Sequence, residues 1–252
     1  MKRGQVTLFI VIALVIVGII GLFFLLRGNL DTETSTDPVE NPQGFIDQCV
    51  SESVQKAETQ ILPVGGFLDT NSLIYEEKKV AYLCYTPDLE TNCINQKPLL
   101  KKELENQITA LIQSDVENCF NKLKNEFRGE DYTEQLLSFE VKIEKGNIVI
   151  YMDKKIEIQK GDQSLKINSF LSKTPSPFYD LVFITSRILQ SESACNCKEQ
   201  ACYPDFIQLT KDYPQYEVNV FVSGENEKVY TIRDIISKKE FNFAIRNCIR
   251  LP

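Results

Sequence analysis

The chain of 252 residues carries 28 basic against 35 acidic side chains, a net charge of −7, and no histidine. The acidic balance disfavours partners built on phosphate, so no nucleic acid is expected. The missing histidine removes the commonest general base, the Ser-His and Cys-His nucleophile pairs and His-containing zinc sites. With 43% hydrophobic and 25% charged residues the composition is otherwise that of a globular protein.

The chain opens "MKRGQVTLFIVIALVIVGIIGLFFLLRGNL". Residues 1–5 read as a short cytoplasmic N-terminus and 6–26 as a transmembrane helix. Thr7 is the one polar side chain in that run, and at about 1.5 Å per residue it covers roughly 30 Å, the thickness of a bilayer core. A secretory signal has a shorter apolar stretch and a small-residue cleavage site, whereas this run ends in Leu25-Leu26-Arg27. Lys2 and Arg3 precede the run, and Asp31, Glu33, Asp37 and Glu40 follow it. The expected orientation is therefore N-terminus inside, with the rest outside the cell membrane in a single pass. Lys2-Arg3-Gly4-Gln5 before an apolar helix resembles the class III leaders of pilins. That resemblance implies cleavage after Gly4 and an alternative role as a filament subunit, although Phe9 stands where such pilins carry Glu.

Residues 27–43 are polar, acidic and Pro-containing and read as a flexible stalk. An extracytoplasmic domain is expected over 44–252, divisible into 44–128 and 129–252. Ile46, Val50, Val54, Ala57 and Ile61 step by three or four and predict an amphipathic helix, which "PVGG" at 63–66 ends. "SLIY" and "KKVAYLCY" read as strands and "TPDLETNCINQK" as a loop. A long helix is expected from Pro98 to Lys124 on Leu104, Ile108, Ile112, Val116, Cys119 and Leu123. From Phe139 the pattern turns to a meander of three or four strands, "FEVKI", "IVIYM", "KIEI" and "LKINSFL". "PSPFYDLVFITSRILQ" predicts a third helix, "YEVNVFVS" and "VYTIRDI" a hairpin, and "FNFAIRNCI" a last strand. The fold class is α+β, with amphipathic helices packed on largely antiparallel sheets.

All eight cysteines, Cys49, Cys84, Cys93, Cys119, Cys195, Cys197, Cys202 and Cys248, follow the apolar run. An even number on the expected outer side makes all of them disulfide candidates, with connectivity left open. Cys49 and Cys119 border the buried stripes of their helices and either bridge them or pack as thiols. "CNCKEQAC" at 195–202 lacks the usual C-x2-C spacing of a zinc site and reads as disulfide-pinned loop. Glu76-Glu77 and Glu130-Asp131 read as solvated loop charge. Ser53-Val54-Gln55-Lys56 has the SxxK spacing of penicillin-binding enzymes but no KTG or SDN beside it. No catalytic residue, metal site or cofactor is assigned, and the third reading, a hydrolase using carboxylates, has no specific residue behind it.

K-R-G-Q-V-T with its apolar run, the "FIDQCV" helix ending at "GG", the long helix ending "ENCF" and the late "FNFAIR" strand resemble uncharacterised single-span membrane-anchored surface proteins of small-genome (DPANN) archaea. The resemblance implies an archaeal surface protein and no activity. A binding or structural role is therefore expected. The partners would be the lipid bilayer through 6–26 and a protein at the cell surface, met by loops 86–98 or 191–215. Oligomeric state is not legible.

Overall fold

The computed structural model describes residues 16–18, 38–88, 90–161, 163–194, 206–224 and 226–248. Helix α1 spans Pro42–Ile61. Asn41 starts it by accepting the Gly44 N–H at 2.9 Å, and Pro42 fits the first turn, where no backbone donor is needed. A 3-10 turn, Leu62–Val64, follows. Gly65 and Gly66 then turn the chain at φ 82° and 86°. A Cβ on Gly66 would lie 2.2 Å from the Leu104 Cδ2, so this close pass over the second helix requires glycine.

Strands β1 (Ser72–Tyr75), β2 (Lys78–Tyr85) and β3 (Ile94–Asn95) precede helix α2, Leu100–Glu126. Then come β4 (Asp131–Glu134), β5 (Ser138–Glu144), β6 (Asn147–Lys160) and β7 (Gln163–Pro175). Helix α3, Phe178–Ala194, and the short α4, Phe206–Asp212, lead to β8 (Tyr216–Ser223), β9 (Glu227–Asp234) and β10 (Glu240–Arg246).

The strands form two sheets. In the smaller, β6 pairs with β7 along its length and with β5 and β4 in turn on its other edge, all antiparallel. Alternation puts Val141, Ile143, Ile148, Ile150 and Met152 in the core, while Glu140 and Tyr151 stay exposed. Helices α1 and α2 pack together, α1 against β7 and α2 against β5. Their side chains also blunt the sheet edges. Gln43 donates to the Leu171 carbonyl at 2.7 Å and Asp47 accepts the Lys173 N–H at 3.2 Å. Glu105, buried on α2 and paired with Lys101 at 3.0 Å, accepts the Ile143 N–H at 3.0 Å. Backbone groups that would otherwise invite another strand are thus occupied.

The larger sheet has the order β1-β2-β10-β9-β8, with β3 on β2. It is mixed: β10 lies antiparallel to β9 but parallel to β2. The register shifts between Ala244 and Ile245, so Leu83 is an extra residue in β2. Leu83 and Cys84 consequently both enter the main core, and Tyr85 joins Tyr82 on the other face. That second face has a small cluster of its own, Val80, Tyr82, Val229 and Ala244. The sheet curls over it until the rings of Tyr75 and Phe221, on the two edge strands, stand 5.2 Å apart. The main core is one contiguous cluster spanning both sheets, with α3 touching strands of each.

Two expectations about fold class are corrected. Among the described residues no helix is long and apolar enough to cross a membrane. The longest, α2, carries Lys101, Lys102, Glu103, Asp115 and Lys124 along its length, and α1 and α3 are amphipathic as well. Of the expected transmembrane helix only 16–18 are described, as helix with Ile16 and Val17 exposed; the rest, with Gly4 and Gln5, lies outside the described residues. The sheets are not simply antiparallel, because the final strand enters the interior of the larger sheet beside β2. The pattern "IVIYM" then "KIEI" is also one 14-residue strand rather than two.

Disulfides brace this fold. Cys49–Cys119 joins α1 to α2, with Cα atoms 5.9 Å apart, and Cys84–Cys93 joins β2 to the segment leading into β3, at 5.4 Å. The first closes 70 residues of chain and the second 9. By chain entropy alone they stabilise by about 4 and about 2.5 kcal/mol respectively. Cys248 is disulfide-bonded too, while Cys195, Cys197 and Cys202 lie outside the described residues.

Candidate functional site

Because β2 and β10 run parallel, the turns that precede them lie at one end of the sheet. The β1–β2 turn is the pair Glu76-Glu77, flanked by the facing residues Tyr75 and Lys78. Both glutamates have positive φ, 48° and 64°, as a two-residue hairpin of this hand demands. The β9–β10 turn holds Lys238 at φ 61°. Side chains that usually avoid this region thus hold two adjoining turns.

Between these turns and the end of α1 is a cleft of about 270 Å³. Leu62 and Pro63 form an apolar side, Glu76, Lys78, Lys238 and Glu240 stand around it, and Glu58 and Asn242 lie deep within. Glu58 is 1% exposed. It accepts from the Lys239 ammonium at 2.7 Å and from the Ser176 hydroxyl. Ser176 in turn accepts the Phe178 N–H at 3.1 Å, which satisfies a donor at the start of α3. Asn242 is 8% exposed; its amide donates to the Pro63 carbonyl at 3.4 Å, but its buried Oδ1 accepts from nothing. Lys78 and Lys238 make no ion pair among the described residues.

This arrangement suits holding a ligand rather than breaking a bond. Its nearest hydroxyls are committed: Ser176 donates to Glu58, and Thr59 donates to the Gln55 carbonyl at 2.9 Å within its helix. What the cleft offers is two exposed lysines, Lys78 and Lys238, beside the carboxylates of Glu76 and Glu240 and an apolar side. The Asn242 Oδ1 is closed to solvent, so its missing donor is a cost to the fold and not a contact point for the cleft.

A second buried carboxylate makes the contrast. Glu192, near the end of α3, receives the Lys228 ammonium at 2.7 Å and the Tyr230 hydroxyl. Asn247 donates to its Oε2 and to its backbone carbonyl, both at 3.0 Å. The Oδ1 of Asn247 accepts the N–H groups of Cys93 and Cys248, each at 2.9 Å. With Asn92 donating to the Ser193 carbonyl at 3.3 Å, this knot gathers segments of both loops proposed as partner surfaces, 86–98 and the start of 191–215.

A hollow of about 510 Å³ is a polar groove over the Cys49–Cys119 bridge, lined by Ser53, Lys56, Asn118 and Lys122. It contains the SxxK pair. Ser53 donates to the Cys49 carbonyl at 3.1 Å, the ordinary back-bond of a helical serine, so its proton is not delivered to a base. Glu130 and Asp131 sit at the entry to β4, Asp131 exposed. No group of three or more His, Cys, Asp or Glu side chains able to hold a metal occurs among the described residues.

The spacing of the sequence holds a signal for the buried carboxylates that periodicity reasoning passed over. Glu58 stands four after Val54, and Glu192 four after Ile188, both on the apolar stripe. Asn242 carries no such mark, since it is buried on the face that alternation assigns to solvent. Comparison with family models, with curated proteins and with solved structures finds no match to this chain.

Proposed function

We propose that this chain is an extracytoplasmic recognition protein, kept at a membrane surface by its apolar N-terminal run and binding a small polar ligand in the cleft between the β1–β2 and β9–β10 turns. The disulfide-braced α+β domain supports the compartment, since such bridges persist where thiols are oxidised. The observation that carries the binding role is the cleft itself, about 270 Å³, with an apolar side at Leu62 and Pro63 and with Lys78 and Lys238, which make no ion pair among the described residues. The test is the intact mass of the full chain from fractionated cells, with free thiols blocked before lysis. The expected result is a membrane-fraction chain whose Cys49, Cys84, Cys93 and Cys119 resist alkylation until reduced, lighter by about 2 Da per bridge. A chain recovered in the cytosol with those thiols alkylated would overturn the proposal. A mass beginning at Gln5 would instead favour the pilin-like subunit.

A further inference from the structure

We infer that two copies of this chain pair through strand β8, antiparallel about a two-fold axis at Val220, so that the larger sheet runs on from one copy into the next. The edge at β8 differs from the others. On the smaller sheet, side chains of α1 and α2 occupy backbone groups of β7 and β5. At the opposite edge of the larger sheet, β1 is only four residues long. Short edges and side-chain plugs are common guards against strand addition. Strand β8 has neither among the described residues. It runs for eight residues, Tyr216–Ser223, pairs there with β9 alone, and keeps one register from end to end. "YEVNVFVS" holds no proline or lysine, and Glu217 is its one charge. Such an edge is completed by another extended segment.

The side chains select a second copy as that segment. On the inner face of the sheet, Val218 and Val220 pack against the main core, whereas Val222 is half exposed. Phe221, on the outer face, is half exposed too. Pairing about Val220 sets Val220 against its own copy and Val218 against Val222. The valines of both strands then form one apolar stripe across the axis, and each exposed Val222 lies against a residue packed on the other copy's core. On the outer face Asn219 meets Phe221, and Glu217 meets Ser223, so no like charges are opposed. Moving the axis one residue either way sets Glu217 against Phe221 or Val218 against Gly224. Turning the second sheet over opposes Val222 to Glu217 and Val220 to Asn219. The strand is thus complementary to itself in one register, as a two-fold contact requires.

The inference is independent of the cleft. The experiment is sedimentation equilibrium of the full, oxidised chain in density-matched detergent, parent beside Val222→Glu. Lys228 faces position 222 from β9, so the fold accepts a glutamate there, but pairing would bury it against Val218. The parent is expected to dimerise, and Val222→Glu to weaken the dimer by about tenfold or more with its thermal midpoint kept. For the register, equal parts of Glu217→Cys and Ser223→Cys chains should cross-link on mild oxidation. Neither should cross-link alone, because like positions stand about 20 Å apart along the strand. A monomeric parent overturns the inference and leaves the edge to a strand of another protein. A dimer that Val222→Glu leaves intact also overturns it, by placing the contact in the apolar run or on another face. Cross-linking of either cysteine variant alone overturns the register. None of these results bears on the compartment reading, which the mass measurement judges.

Discussion

Asn247 and Asn242 sit five residues apart around the end of one strand, both buried, and differ in what surrounds their amides. Asn247 uses its oxygen twice and its nitrogen twice, tying Glu192, Cys93 and Cys248 into a knot. Asn242 uses its nitrogen once, at 3.4 Å, and its oxygen not at all. The difference teaches that burial of a polar residue says little about role until its hydrogen bonds are traced. A fully paired buried group ties segments of the fold together; a buried group left without a donor only costs stability.

The largest effect that would test this contrast is loss of the carboxylate at the centre of the knot. Glu192→Ala removes the buried carboxylate that receives the Lys228 ammonium, the Tyr230 hydroxyl and the Asn247 amide, and should cost about 3–5 kcal/mol in denaturant unfolding. A cost below about 1 kcal/mol would mean that the knot does not hold the loops. Next, Asn247→Ala should cost about 2–4 kcal/mol, because two backbone N–H groups lose their acceptor, whereas Asn242→Leu should change stability by no more than about 1 kcal/mol. Equal costs for the two asparagines would break the comparison.

Glu134 lies on the surface between these extremes, bridging Lys124 at 3.0 Å and Lys154 at 2.8 Å. Burial pushes its carboxyl up, but the hydrogen bonds and charges of the two lysines outweigh it and hold the group below the usual range. Its contribution is thus present above the unfolded pKa, near 4.5, and is lost as pH falls through the lower folded one. Glu134→Gln should cost about 0.5–1 kcal/mol at neutral pH, with the gap to the parent closing in acid unfolding curves below about pH 4. The smallest effect concerns the turn beside the cleft. Glu77→Gly releases a side chain held at φ 64° and should stabilise by about 0.5–1 kcal/mol, read as a raised thermal midpoint.

The helices were legible because their stripes are regular. Ile46, Val50, Val54, Ala57 and Ile61 are all buried, as are Leu104, Ile108, Ile112, Val116, Cys119 and Leu123 on α2 and Phe178, Leu181, Val182, Thr185, Ile188 and Leu189 on α3. The Cys49–Cys119 bridge followed from the same stripes, as one of two open readings. Most strands were legible from alternation, but β4 and α4 were not: "DYTE" has little to bury, and α4 is only seven residues long. The parallel contact of β2 with β10 was hidden for a different reason. It joins residues some 160 positions apart, and local periodicity carries no information about which strand meets which. The cleft was hidden with it, since the two turns that wall it are neighbours only because those strands run the same way. The register shift at Leu83 likewise turns an ambiguous apolar run into a strand that serves two faces.

Slotting the last strand into the middle of the sheet also sets a timetable for biosynthesis. As a nascent chain emerges from its N-terminal side, the hairpins β1–β2 and β8–β9 have already been made, yet each keeps one flank without a mate until Glu240–Arg246 arrives. A chain stalled or cut before Glu240 therefore displays two unsatisfied flanks that can be closed only by another molecule, the route to misassembly. Quality control that samples this protein early would meet a sticky half-sheet. Sampled after Arg246, it would meet a finished one whose central rung was the last to be laid.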